Sequence, residues 1–161
     1  MNWSSMLPLF ILLTAFVTGI VLLVIPESKQ KIRTTINLVN AFLTIIMIVV
    51  LIIGIQAGQN FRLVFPLLPN INLVLHADPL SLMFVGLSGV LWFVTTIYAI
   101  GYLRNAKHQS RFFGFFSLCV FATLGIAMAG NLITFLIFYE LLTLAAYPLI
   151  VHKGNEASLR A

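Results

Sequence analysis

One side chain in this sequence is of a type, and at a place, that can do chemistry: Glu140. It stands in Phe138-Tyr139-Glu140-Leu141-Leu142, inside a long apolar run. A charged carboxylate at the centre of a bilayer costs about 3 kcal/mol or more on insertion scales. Such a group is paired, protonated or beside water, and by default it marks a path for protons or ions. Helical spacing puts Leu136, Ile137, Thr143, Leu144 and Tyr147 on its side. The hydroxyls of Thr143 and Tyr147 are therefore expected to support it, through hydrogen bonds or shared water. Pro148 has no N–H for the carbonyl of Leu144, which predicts a bend there. The competing reading is structural: Glu140 as a buried hydrogen-bonding staple to a neighbouring helix.

The other reactive residue types are explained without chemistry. Asp78 precedes Pro79, the pattern of an N-cap followed by proline at the first helical position. His76, His108 and His152 lie in loops or at interfaces, and none has metal-ligand spacing to a partner. Cys119 is the single cysteine and forms no intrachain disulfide. There is no phosphate loop, nucleophile motif, haem site or cysteine cluster. No cofactor and no metal are expected, and no covalent chemistry by this chain alone.

The elements that position Glu140 follow from composition. The chain has 161 residues, 61% apolar and only 8% charged. Soluble domains carry about 25% charged residues, and a small domain buries only part of its apolar surface. Lipid must cover the outside. The fold class read from this is all-α: a polytopic membrane protein with five transmembrane helices in a single transmembrane domain over 1–161. The spans are expected at about 5–25, 35–57, 79–102, 112–129 and 131–151. No lysine, arginine or histidine falls inside them. Gly130-Asn131 alone separates the last two, so they form an antiparallel helical hairpin. Residues 58–78, broken by Pro66 and Pro69, are too short to span and predict an extended or interfacial segment. Gly86, Gly89 and the stripe Ala122, Gly125 and Ala129 suit close helix contact. The cluster Phe112, Phe113, Phe115 and Phe116 reads as interfacial, lipid-facing bulk. Asn155, with Glu156 and Arg160 four apart, reads as the start of a further helix.

Charge sets the direction. The formal net charge is +5, yet the basic residues lie in short loops rather than on a polar face, so nucleic acid is not an expected partner. With five spans, Lys29, Lys31, Arg33, Arg104, Lys107, Arg111, Lys153 and Arg160 fall on one side, and Arg62 alone on the other. The positive-inside rule then predicts the N-terminus outside and the C-terminus cytoplasmic.

Three stretches carry a family resemblance. They are Asp78-Pro79-Leu80-Ser81-Leu82, Tyr98-Ala99-Ile100-Gly101-Tyr102-Leu103 with Arg111-Phe112-Phe113 after it, and Asn131 through Leu141. Together they resemble the antiporter-like proton-translocating subunits of respiratory complex I, Mrp-type cation/proton antiporters and membrane-bound hydrogenases. The likeness covers residues 75–161 well; the first two spans match only in position and hydrophobicity.

What the resemblance implies is a proton-translocating membrane subunit, or the N-terminal portion of one, within an NADH:quinone oxidoreductase-type, antiporter or hydrogenase complex. In that family a glutamate on the fifth helix, preceded by an aromatic residue and followed by leucine, takes and gives up protons. It works with a lysine on a broken helix further along. Glu140 matches it, with Tyr139 where many members carry tryptophan. The implied partners are the lipid bilayer and other membrane subunits, which supply the missing helices and a basic partner for Glu140. The implied location is a bacterial cell membrane, crossed several times.

Overall fold

A computed structural model describes residues 6–69, 71–103 and 109–151. Among these residues are five helices: α1 (Leu7–Val24), α2 (Gln30–Gln56), α3 (Pro79–Tyr102), α4 (Gln109–Ala127) and α5 (Leu132–Ile150). All five are long and apolar enough to cross a membrane. This is a multi-pass membrane chain, and its outer surface is a coat of exposed leucine, isoleucine, valine and phenylalanine side chains. Lipid accepts that coat; water would not. The expected residues Arg104, Lys107, His108, His152, Lys153, Asn155, Glu156 and Arg160 lie outside the described residues.

Helix α1 packs on α4 and α2, α2 on α3, and α4 on α3 and α5. Small residues set the closest approach. The α1–α4 backbones touch at Gly19 and Gly114, where an added Cβ on either would lie 3.1–3.2 Å from the other's carbonyl. Gly125 of α4 lies under the Phe138 ring of α5, and Gly89 of α3 against Ile48 of α2. Gly86 faces open space and plays no such part. Phe113 departs from the lipid-facing expectation: it is buried with Leu22 and Ala99.

Two departures from the sequence reading matter. The first is an addition to the all-α class. The segment between α2 and α3 is extended, as expected, and also paired: β1 (Phe61–Leu68) and β2 (Ile71–Ala77) form an antiparallel hairpin. Gly58, at φ 80°, turns the chain out of α2. Phe61, Leu75 and Ala77 then point into the end of the bundle and join its core. Arg62, paired with His76, stays exposed. Pro66 sits where the register shifts, so its missing N–H costs little.

The second departure is the start of α2, at Gln30 rather than near 35. Arg33 therefore lies in the first turn of a helix, not in a loop. The buried face of α2 runs Arg33, Asn37, Ala41, Thr44, Ile48, Leu51, one continuous stripe at helical spacing. At 27 residues α2 is about 40 Å long, more than the bilayer's apolar thickness, so its first turns reach the polar edge.

Candidate functional site

Helix α5 carries Glu140 at its ninth of 19 positions, midway along. Its start is fixed by Asn131, whose side chain accepts from the N–H of Thr134 at 2.8 Å. The turn before it is bound to the hairpin. Gly130 N–H donates to the Val74 carbonyl and His76 N–H to the Met128 carbonyl, each at 2.8 Å. The Val74 N–H donates to the Thr134 hydroxyl at 2.8 Å, and Asn131 Nδ2 to the Asn72 carbonyl at 2.7 Å. A Cβ at Gly130 would strike Val74 at 2.7 Å, so only glycine permits this approach.

Only Thr134, Phe138 and Ala145 of α5 are buried. Phe138 is the anchor, seated on Gly125 and edge-on to Phe121. Glu140 faces the other way. It is exposed on a stripe with Leu136, Tyr139, Leu144 (69% exposed) and Tyr147 (65% exposed). Among the described residues no hydrogen bond or ion pair reaches its carboxylate. Thr143 and Tyr147 share its face but are not brought to it. The Thr143 hydroxyl donates to the carbonyl of Tyr139 at 3.1 Å, closing on its own helix.

The charge that sequence reasoning treated as a loop cation is built in. Arg33 is 1% exposed. Its guanidinium donates to Ser110 Oγ at 2.8 Å, to Gln109 Oε1, and to the Glu27 carboxylate at 3.4 Å. Glu27, 49% exposed, accepts in turn from the Ser110 N–H at 3.1 Å. That carboxylate thus closes the start of α4, where free N–H groups favour a negative group. The cluster ties the α1–α2 turn to α4. One signal could have found it: Arg33 continues the Asn37, Ala41, Thr44 row of α2 at helical spacing.

Asp78 is the N-cap expected of it. Its Oδ1 accepts from Ser81 N–H at 2.6 Å. That backbone bond and the Ser81 hydroxyl, with nearby His76, hold its carboxyl below the ordinary 3.8. Among the described residues no group of three or more His, Cys, Asp or Glu is placed to hold a metal.

Comparison with known proteins agrees with the resemblance. The family model for "NADH-Ubiquinone oxidoreductase (complex I), chain 5 N-terminus" matches residues 68–113. The NAD(P)H-quinone oxidoreductase subunit 5, chloroplastic, of Chara vulgaris is 29% identical over 155 residues, covering 91% of this chain and 23% of that protein. The putative antiporter subunit mnhA2 of Staphylococcus aureus is 34% identical over 88 residues, covering 54% and 11%. Among solved structures, an archaeal respiratory membrane complex, the membrane-bound sulfane sulfur reductase, holds a chain of the same fold. Its TM-score is 0.77 at 21% identity, over 92% of this chain and 23% of that one. This chain resembles the antiporter-like membrane subunits of complex I and Mrp-type antiporters. It spans about a quarter of the length of the first curated relatives it matches.

Proposed function

We propose that this chain is the N-terminal, five-helix portion of a proton-translocating subunit of a complex I-like or Mrp-type assembly, with Glu140 as its proton-relay site. The observation that carries the reading is the placement of Glu140: mid-helix, facing outward, with no partner among the described residues. A carboxylate at that depth facing lipid alone would be costly, so further helices cover this face. They bring the basic group that the family resemblance assigns to a lysine on another helix. Approach of a cation favours release of the proton, and its withdrawal favours uptake. Thr143 and Tyr147, on the same stripe, are placed to share water with the carboxylate once that face is covered.

The charge distribution supports an outside N-terminus and a cytoplasmic C-terminus. The staphylococcal relative supports a bacterial cell membrane as the location.

Glu140→Gln keeps the shape and removes titration. In the assembled complex, transport is expected to fall about tenfold or more, with assembly intact. Transport unchanged by Glu140→Gln ends the relay role. A staple is indicated instead if Gln is tolerated while Glu140→Leu releases the chain from its complex.

A further inference from the structure

The interior of α1–α4 holds polar groups that the relay reading does not use. Among the described residues, six buried side-chain atoms lack a hydrogen-bond partner: Arg33 Nε, Asn37 Oδ1 and Nδ2, Trp92 Nε1, Thr96 Oγ1 and Ser117 Oγ. All five residues are within 1% of complete burial. In a soluble core each orphan would be destabilising, and a membrane bundle offers no cheaper escape.

Their heights make a staircase. The bond from Arg33 to Ser110 sets α2 and α4 level at the basic end of the bundle. Counting a rise of about 1.5 Å per residue, Asn37 stands about 6 Å above that level and Ser117 about 10 Å. The Gly89–Ile48 contact fixes α3 against α2. It places Thr96 about 12 Å and Trp92 about 18 Å up. The hydroxyls of Thr14 and Thr44, 3.2 Å apart, lie at the top of the same run. Successive groups differ in height by about 6 Å or less, a rise that one bridging water can span.

The other half of the bundle is different. Above Trp92 the core is Ile48, Leu51, Phe61, Val85, Leu124 and Met128. The buried polar groups there, Ser81 and Thr134, are bonded to the hairpin. Among the described residues, unpartnered buried groups are thus confined to the basic half.

We propose that α1–α4 enclose a column of bound water, held by Asn37, Thr96, Ser117 and the Trp92 indole N–H, running from Arg33 to mid-bundle and ending at the apolar core. Buried waters typically make about three bonds to polar groups left unpaired, which is what these side chains supply. Arg33, permanently charged at the mouth, opposes entry of protons and metal cations. The column is therefore a water site and not a second proton path, and it stands or falls independently of Glu140.

Hydroxyl-radical footprinting of the intact chain in lipid nanodiscs, read by peptide mass spectrometry, tests this. Radicals form at bound water, so a buried residue beside water is labelled. Corrected for intrinsic reactivity, Trp92 is expected to label about tenfold faster than Phe61, an equally buried ring in the dry half. The double variant Asn37→Leu, Ser117→Ala should bring Trp92 down to the Phe61 rate. Equal labelling of Trp92 and Phe61 in the unmodified chain overturns the proposal, and needs no variant to fold. So does fast labelling of Trp92 that the double variant leaves unchanged. The water would then reach Trp92 from the shallow outer groove it forms with Thr95, Val120 and Thr123.

Discussion

Arg33 and Glu140 are both charged side chains on membrane helices, and the chain treats them in opposite ways. Arg33 is wrapped by Glu27, Gln109 and Ser110, all from this chain, and is itself 1% exposed. Glu140 is turned outward on α5 with nothing from the described residues to meet it. The first charge is part of how the bundle closes. The second is left open to whatever covers α5. A buried charge is costly to strip of its partners, whereas an outward one is costly only when its surroundings fail to supply one.

This contrast can be broken by measuring stability in mild detergent. Arg33→Ala strands Glu27 and Gln109 and opens the α2–α4 junction. The expected loss is about 3 kcal/mol, at the low end for buried pairs because Glu27 is half exposed. Gly125→Ala pushes a methyl into the Phe138 ring and should cost about 2 kcal/mol. That change sharpens the comparison, since it attacks the inward face of the helix that bears Glu140 outward. Asp78→Ala removes a cap that is satisfied within the chain and should cost about 1 kcal/mol at neutral pH. The Asp78 carboxyl titrates below 3.8 when folded, so its contribution is full above that pH. It is lost as pH falls through the folded value. A melting series taken downward from about pH 5 should therefore show a steeper decline for the unmodified chain than for Asp78→Ala. Glu140→Gln should change stability by no more than about 0.5 kcal/mol. If instead it costs as much as Arg33→Ala, the carboxylate is an internal staple and the contrast disappears.

Where physics is local, the sequence was readable. Five apolar runs became five helices, because length and hydropathy decide that. Asp78-Pro79 opened α3 at the residue expected, since a cap needs only its own next three residues. Gly130-Asn131 made the tight turn for the same reason. What escaped was set at long range. Arg33 reads as a loop charge because the groups that bury it lie 76 and 77 positions away. The pairing of the 58–78 segment was hidden by its two prolines. Thr143 shares a face with Glu140 by spacing, but its hydroxyl has a nearer acceptor in its own preceding turn. Phe113 has the makings of lipid-facing bulk in the sequence, and only the packing of α1 and α3 closes over it.

The seam between β2 and the α4–α5 turn has a consequence for how this chain tolerates change. On the β2 side every bond in the seam comes from the main chain: the N–H groups of Val74 and His76 and the carbonyls of Asn72 and Val74. Most substitutions along β2 therefore leave the attachment standing. A one-residue insertion or deletion there is another matter, because it advances all of these bonds together by one position and inverts which side chains face the core. The depth of Glu140 is thus protected against spelling changes in the hairpin and vulnerable to changes in its count.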